Sequence, residues 1–243
     1  MFKGLKGKLA YKSKKVNIKI DLHSHLIPEI DDGCFNMEES LSLVQKMHSL
    51  GYKKLIITPH IMHKKYPNTY KIIRQSLLEL RSFLKVKNID IEVEAAAEYY
   101  CDDYFLSLIK KDELLYFGDK YVLFELPYNT YPENLNVVIE SLLKKGYKPV
   151  LAHPERYRFL NTVLDYRSLK KKGLWFQVNV NSIGGYYGFG VKKKALMLSQ
   201  KSMIDFIGSD MHNQKQMDTY KDVIFSNQIE ILFRNNKLLN DTL

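Results

Sequence analysis

The sequence predicts an α/β fold built from seven βα units around a parallel sheet. Apolar runs typical of strands alternate seven times with helical patterns, which is the signature of repeated βα units. Seven such units favour a closed or nearly closed barrel over an open doubly wound sheet, although periodicity alone does not separate the two. The chain has 243 residues and 45% hydrophobic content, without a linker rich in proline or serine. One domain over residues 17–243 is therefore expected.

Short apolar runs mark the predicted strands. The first of them alternates in polarity from Val16 to Asp21, and the later ones stop at a proline or at a polar residue. In chain order, the predicted strands are 17–21, 54–58, 89–97, 121–125, 149–152, 175–180 and 204–208.

Helical spacing of apolar residues marks the segments between the strands. Leu41, Val44, Met47 and Leu50 recur at this spacing in the first one. Pro132 suits a first helical turn, and Gly146 suits a helix stop. The predicted helices are 37–50, 69–86, a short helix after Asp102, 132–145, 163–172, 192–201 and 223–234. A glycine-rich loop, 183–190, follows the sixth strand and either shapes substrate access or simply turns.

The charge of the chain is unevenly distributed. The formal net charge is +10, and six lysines fall within the first fifteen residues without an acidic residue among them, which leaves +4 for the remainder. Residues 1–16 are expected to form a flexible basic arm. Such an arm is able to contact an anionic membrane surface, nucleic acid or an acidic protein tail, although a solvated terminus is the simpler interpretation.

The remaining bulk features favour a cytoplasmic protein. Cys34 and Cys101 are too few for a disulfide framework, which fits a reducing compartment. Apolar runs stay below the roughly 18 residues of a membrane span, and the N-terminus lacks the apolar stretch of a signal peptide.

Histidines and carboxylates recur where the predicted strands end. His23 and His25 are two residues apart, so in an extended chain their imidazoles point the same way. In a barrel, the C-terminal ends of all strands meet on one face, where sites are built. The candidate metal ligands on that face are His23, His25, Asp32, His60, Glu98, Glu125, His153, Asp210 and His212. His48 and His63 fall elsewhere and are expected to be helix-face and loop residues.

The donor set indicates the chemistry. Imidazole and carboxylate without thiolate suit Mn, Fe or Zn ions, and the candidates are too many for one ion, so two or three are expected. Such clusters supply hydroxide near neutral pH and contact phosphoryl oxygens, which favours phosphate ester hydrolysis. Arg156 is well placed for a bidentate phosphate contact. A surface ion pair with Glu155 or Asp165 is an equally good interpretation of Arg156 from the residues alone.

Seven motifs at these positions resemble the polymerase-and-histidinol-phosphatase (PHP) superfamily. The resemblance is closest to its bacterial manganese-dependent protein-tyrosine phosphatases of capsule and exopolysaccharide synthesis, the CpsB/YwqE type, and it runs from about residue 17 to residue 213. The motifs are His23-Ser24-His25, Asp31-Asp32-Gly33, Thr58-Pro59-His60, Glu98-Tyr99-Tyr100, Phe124-Glu125-Leu126-Pro127, the segment Ala152-His153-Pro154-Glu155-Arg156-Tyr157, and Ser209-Asp210-Met211-His212.

This resemblance implies a distorted (β/α)7 TIM-like barrel and a trinuclear manganese centre held by the nine candidate ligands. It implies that Arg156, Asp210 and His212 are catalytic, that Arg156 binds the phosphate, and that a metal-bridging hydroxide attacks phosphorus. It also implies that the substrates are phosphotyrosines on the tail of a membrane-anchored bacterial tyrosine kinase. Relatives often carry a second arginine after the Asp-x-His pair, whereas this chain offers Lys215, with Arg158 as another nearby cation.

Other functions are less well supported. A cysteine-based phosphatase needs an arginine six residues after the nucleophile, but Ser40 follows Cys34 and Ser107 follows Cys101 at that distance. A small-molecule phosphatase of the histidinol-phosphate type is less well supported because this chain lacks a large insertion that would enclose such a substrate. Nucleic-acid binding is disfavoured because the body is only mildly basic and has no aromatic platform. A scaffold with a vestigial metal site remains the alternative outside catalysis.

Overall fold

The computed structural model describes residues 18–243 as a mixed α/β fold with parallel sheets. The basic arm predicted at residues 1–16 lies outside the described residues. The strands of the described chain are β1 Ile20–Asp21, β2 Lys54–Ile57, β3 His60–Ile61, β4 Glu92–Ala95, β5 Glu98–Tyr100, β6 Tyr121–Glu125, β7 Lys148–Ala152, β8 Trp175–Asn179 and β9 Phe206–Gly208. Its α-helices are α1 Met37–Leu50, α2 Tyr70–Val86, α3 Asp103–Lys111, α4 Leu135–Lys144, α5 Val163–Lys171, α6 Val180–Gly184, α7 Phe189–Gln200, α8 Gln214–Ile224 and α9 Asn227–Asn235.

All strand pairings within the two sheets are parallel. The smaller sheet has the order β1-β2-β4, and the larger has the order β3-β5-β6-β7-β8-β9. Parallel pairing brings the C-terminal strand ends to one edge, and the register sets His60 opposite Glu98. The strand order therefore gathers the candidate ligands from distant parts of the sequence.

Two predicted strands are each followed in the structure by a second, short strand. The strand predicted at 89–97 contains β4, and β5 begins just beyond it; the strand predicted at 54–58 contains β2, and β3 begins beyond Pro59. Proline has no N–H to donate to a strand ladder, which explains the break after Thr58. The Ala96 N–H donates to the Ile57 carbonyl at 2.9 Å and the Glu98 N–H to the Pro59 carbonyl at 3.0 Å, so the neighbouring segment stays paired on both sides of its own interruption. His60 and Glu98 thus lie on strands and not in loops.

Helix boundaries differ from the prediction in three places. The helix predicted from Pro132 begins at Leu135, because residues 132–134 form a turn in which the Leu135 N–H donates to the Pro132 carbonyl at 3.2 Å. The predicted loop 183–190 contains the end of α6 and the start of α7. The helix predicted at 223–234 corresponds to α9 and the last two residues of α8, and the sequence does not predict the rest of α8, which begins at Gln214 with Asn213 as its side-chain cap.

The two ends of the described chain are fastened together beside the candidate site. The Asp21 carboxylate accepts hydrogen bonds from the backbone N–H and the hydroxyl of Ser209 at 2.8 and 2.7 Å. Ser24 forms a parallel bridge with Met211, and the Asn240 amide donates to the carbonyls of Ile20 and Ile207. The first strand is consequently bound to the last, across 188 positions of sequence.

Apolar side chains fill the space beneath the candidate site. Ile20, Ile56, Leu123, Val150 and Phe206 belong to one buried cluster contributed by five different strands. Leu123 and Glu125 share a face of β6 because side chains two residues apart point the same way, so this cluster supports the carboxylate from below. Across residues 18–243, the helices all fall short of the length and apolar character that a bilayer crossing requires.

Candidate metal centre

The structure brings all nine candidate metal ligands together. Their imidazole nitrogens and carboxylate oxygens form four overlapping groups, and within each group the atoms lie no more than 4.8 Å apart. The groups are His25, Asp32, His60 and His212; His23, Glu98 and His153; His23, His25 and Asp210; and His60, Glu98 and Glu125. His48 lies partly exposed on α1, and His63 is exposed and packs against Tyr104, so neither joins the cluster.

Hydrogen bonds at the back of each ring orient His23 and His25. The Nδ1 of His23 is 2.7 Å from the Gln177 Oε1, an atom that also accepts from the His153 N–H. The Nδ1 of His25 is 2.7 Å from the Asp31 Oδ2. Both partners are acceptors, so each Nδ1 carries the proton and each Nε2 presents a lone pair. The two Nε2 atoms face each other at 3.4 Å, an arrangement that a cation between them would stabilise.

His212 is held in the same way, and His60 by a neighbouring ring. The Nδ1 of His212 donates to the backbone carbonyl of Asp210 at 2.9 Å, which leaves its Nε2 lone pair 3.6 Å from the Asp32 Oδ1. The ring of His60 stacks on Tyr66 at 5.5 Å between centroids, and its Nε2 lies 3.4 Å from the same Asp32 oxygen. Asp32 therefore faces two imidazoles at the outer side of the cluster.

Glu98 occupies the centre of the cluster. Its Oε2 lies 3.2 Å from the His23 Nε2, 3.4 Å from the His25 Nε2 and 3.3 Å from the His60 Nδ1, yet it has no hydrogen-bond partner. Its Oε1 is 3.0 Å from the His153 Nε2. A buried carboxylate oxygen surrounded by ring nitrogens and left without a hydrogen bond is what a bridging metal ligand requires. The donor set thus fits two or three divalent cations.

The electrostatics of the buried carboxylates agree with a cation site. Burial raises the pKa of Glu125, and the neighbouring carboxylate of Glu98 raises it further, so its pKa is well above the usual range. Burial also raises the pKa of Glu98, but the imidazoles of His23 and His60 outweigh this effect and the net pKa is well below normal. Burial lowers the pKa of His60 to about 4, which keeps this ring neutral and able to bind a metal.

Two of the candidate ligands have an unusual backbone conformation. His153 and Asp210 have φ of 33° and 49°, in the left-handed region that non-glycine residues rarely adopt. This conformation costs on the order of 1–2 kcal/mol per residue. Strain of this kind is concentrated at functional sites, and here it sets the direction of two side chains that point into the cluster.

Arg156 joins the cluster through Asp210. Its Nη1 is 3.0 Å from the Asp210 Oδ2, and its guanidinium lies between the rings of Tyr128 and Tyr187, at 4.7 and 4.4 Å from their centroids. The alternative of a surface ion pair with Glu155 or Asp165 is therefore wrong. Glu155 is buried and accepts instead from the Asn179 N–H and the Ser182 hydroxyl, because the tight turn after His153 directs it inward.

Lys215 stays outside this network. It is exposed near the start of α8, and among residues 18–243 its ammonium forms neither a hydrogen bond nor an ion pair. Its assignment as a second phosphate-binding cation has no support from contacts in the structure and stays a prediction.

An open cavity leads to the outer ligands. It has a volume of about 500 Å³, and its wall includes Asp32, His60 and Glu125. The cavity is also lined by Tyr66, Tyr100, Pro127 and Tyr128. A planar aromatic group entering this cavity would contact rings and a proline on its way to the ligands.

Several residues that support the ligands were not predicted. Asp31, Gln177 and Asn179 orient His25, His23 and Asp210 respectively, and the Asn179 amide donates to the Asp210 Oδ2 at 2.6 Å. Gln177 and Asn179 are polar residues two apart in an otherwise apolar strand. That pattern was a usable signal, because a buried polar side chain needs a partner.

A substitution at Gly208 tests how closely the residues around His23 are packed. A Cβ at this position would lie 2.6 Å from the His23 Cβ and 2.7 Å from the Gln177 Nε2. We expect Gly208→Ala to lower the free energy of unfolding by about 1–3 kcal/mol, the usual cost of overpacking, and to weaken metal retention. Thermal denaturation with and without added metal measures both effects.

The matched control for this substitution is Gly190→Ala. A Cβ at position 190 meets no atom within 4 Å, and its helical position favours alanine. Equal melting temperatures for the two variants would contradict the close packing inferred at Gly208.

The fold and the site together define a class of protein. An α/β domain with parallel sheets carries a buried histidine and carboxylate cluster, without thiolate, where the strands end, and this combination is typical of metal-dependent α/β proteins. The chain matches the family described as capsular polysaccharide synthesis, CpsB/CapC, over residues 19–220. It belongs to this family.

Individual relatives agree with that assignment. The chain is 32% identical to the tyrosine-protein phosphatase YwqE of Bacillus subtilis (strain 168) over 199 residues, which cover 81% of this chain and 78% of YwqE. It is 28% identical to the tyrosine-protein phosphatase CpsB of Streptococcus pneumoniae over 208 residues, which cover 83% and 86% of the two chains.

A solved structure matches as well. It comes from the crystal structures of YwqE from Bacillus subtilis and CpsB from Streptococcus pneumoniae, which are described as metal-dependent tyrosine phosphatases. The TM-score is 0.77 at 30% identity, with 90% of this chain and 96% of that chain covered.

Proposed function

We propose that this protein is a metal-dependent protein-tyrosine phosphatase of capsular or exopolysaccharide synthesis that acts on the tail of a membrane-anchored bacterial tyrosine kinase. The observation that carries the proposal is the convergence of five imidazoles and four carboxylates beside Arg156, in a chain that belongs to the CpsB/CapC family. The phosphatase activity follows the relatives. The kinase tail as substrate is the narrower part of the proposal.

The nine clustered side chains would hold two or three Mn²⁺ ions, with Fe or Zn as the other suitable metals. When bound, such ions make hydroxide available near neutral pH and neutralise charge on phosphoryl oxygens. The chain itself keeps the rings correctly oriented: Gln177 and Asp31 hold the Nδ1 protons of His23 and His25, so the Nε2 lone pairs stay directed inward.

Arg156 would bind the phosphate of the substrate. Its guanidinium is fixed by Asp210 and by two tyrosine rings, so it loses little conformational freedom when it contacts an anion. A planar guanidinium beside the cluster stabilises the charge that spreads over the equatorial oxygens during phosphoryl transfer. Asp210 and His212 complete the catalytic set. Asp210 pairs with Arg156 through its Oδ2, while its Oδ1 lies 3.4 and 3.5 Å from the Nε2 atoms of His23 and His25, where a metal ion would bind them together.

The neighbouring cavity suits a phenyl phosphate ester. The rings of Tyr66, Tyr100 and Tyr128 line the path to the outer ligands. The phenol that leaves has a pKa of about 10, below that of an alkyl alcohol, so its departure needs little assistance from a general acid. The openness of this face supports a protein substrate over a small molecule such as histidinol phosphate.

We also propose that the two sheets form a distorted (β/α)7 barrel. Support comes from the seven strand positions obtained when β2 is counted with β3 and β4 with β5, and from the bridge between Ser24 and Met211 that links the first position to the last. In that arrangement every ligand-bearing strand end opens on the same face.

Removal of metal tests the proposal directly. We expect chelator-treated protein to lose hydrolysis of phosphotyrosine peptides and to regain it with Mn²⁺, while phosphoserine peptides and histidinol phosphate stay poor substrates. Because ions bind the folded chain, the treated protein should also melt at a lower temperature; ligand at 100 times its Kd adds about 2.7 kcal/mol of stability per site. Preferred turnover of histidinol phosphate would overturn the substrate assignment, and full metal binding without any turnover would favour a scaffold.

A further inference from the structure

A groove rich in basic side chains leads away from Arg156. Two cavities of about 690 and 720 Å³ adjoin there and share Asn161, Gly190 and Lys194 in their walls. The basic side chains of this cationic groove are Arg156, Arg158, Lys192, Lys193 and Lys194. No aspartate or glutamate lines either cavity in the described part of the chain.

Two of these cations are free to bind a ligand. Arg156 is paired with Asp210, Lys194 donates to the carbonyls of Tyr157 and Leu160, and Lys192 reaches the Gly184 carbonyl. Arg158 and Lys193 are exposed, and neither side chain makes a hydrogen bond or an ion pair with any part of residues 18–243. An anion in the groove would therefore gain these contacts without breaking others.

The groove is continuous with the cavity that reaches the metal ligands. Tyr128 and Asn129 line both, so the Tyr128 ring separates a cavity suited to an aromatic phosphate from a groove suited to anions. A peptide whose phosphotyrosine reaches the ligands must cross the adjacent surface, and on this side that surface is the cationic groove.

We propose that the cationic groove binds acidic residues that flank the phosphotyrosine of the substrate, with Arg158 and Lys193 as specificity-determining residues. This inference rests on the proposed phosphatase function. A single exposed ion pair changes affinity by about two- to fivefold, so two contacts correspond to roughly a tenfold preference. The preference weakens as salt concentration rises, because exposed charges are screened.

The test compares kcat/KM for three substrates with the Mn²⁺-loaded 243-residue protein. The substrates are a phosphotyrosine peptide flanked by Asp and Glu, the same peptide with Asn and Gln in their place, and free phosphotyrosine. We expect the acidic peptide to be preferred about tenfold over the neutral peptide at low salt. The double variant Arg158→Ala/Lys193→Ala should lose this preference. The matched variant Arg74→Ala/Lys85→Ala removes the same two charges from the exposed face of α2 and should retain it.

The selectivity ratio distinguishes this proposal from its rivals. Equal turnover of both peptides by the unaltered protein would refute the groove and leave the phosphatase function standing. If Arg158 contacts the substrate phosphate instead, the double variant loses activity on all three substrates equally and the ratio is unchanged, which also refutes the proposal. Refusal of all three substrates would remove the proposed function and this inference with it. Binding to phosphatidylserine vesicles that depends on Arg158, without peptide selectivity, would assign the groove to a membrane.

Discussion

Glu98→Gln should deprive the protein of its metal and of its activity. The substitution keeps the shape of the side chain but removes the negative charge whose Oε2 lies within 3.4 Å of three ring nitrogens. Loss of an outer-shell partner of a metal ligand typically costs about 10–100-fold, so loss of a central ligand should exceed about 100-fold in kcat/KM. Metal analysis of the purified variant, together with phosphotyrosine peptide kinetics, measures the effect.

Glu94→Gln is the matched control. Glu94 lies on β4, close in sequence to Glu98, but its carboxylate is partly exposed and pairs with the Lys54 ammonium at 2.8 Å. A partly exposed pair of this kind contributes little to stability, so this variant should keep its metal and its turnover. If Glu98→Gln retained a full complement of metal at the same affinity, Glu98 would not be a ligand.

Arg156→Ala is expected to have the second-largest effect. It removes the guanidinium held between Tyr128 and Tyr187, and kcat/KM should fall by about 10²–10³-fold, as for the loss of one preorganised donor to a developing anion. Arg156→Lys keeps the charge but not the planar fork, so we expect it to recover only part of the loss. The inhibition constant of inorganic phosphate should rise in parallel.

Metal content separates this prediction from a structural effect. Asp210 loses its ion pair in Arg156→Ala, so a change in the cluster itself would appear as lost metal. We expect metal content to stay close to that of the unaltered protein while phosphate inhibition weakens. Unchanged phosphate inhibition in Arg156→Ala would assign phosphate binding to another cation.

The sequence predicts most of the βα order because hydrophobic periodicity follows local geometry. It also identifies the residues that converge, since strand ends in a parallel sheet meet at one edge. Prediction from the sequence fails where contacts between distant residues determine a strand boundary or an ion pair. The division between β4 and β5 depends on the break beside Pro59 in the neighbouring strand, and the pairing of Arg156 with Asp210 joins residues 54 positions apart.

The contacts that orient the candidate ligands and Arg156 could not be predicted from the sequence either. Gln177 can be recognised as a polar residue in an apolar strand, but its choice of His23 depends on the pairing of β8 with β9 and on the closure of β1 against the chain end. Tyr187 lies within the glycine-rich segment 183–190, whose backbone path cannot be predicted from hydrophobic periodicity. Its position over Arg156 emerges only from the packing of α6 and α7.

The fastening of the first strand to the last has a consequence for biosynthesis. Asp21 and Ser209 are 188 positions apart, and the candidate ligands on either side of this contact come from both ends of the chain. A growing polypeptide therefore exposes His23 and His25 long before Asp210 and His212 leave the ribosome. At about 5–20 residues per second, that interval lasts on the order of ten seconds or more. A chain truncated before Asp210 has only part of the cluster, so complete metal loading should mark chains that extend at least to His212.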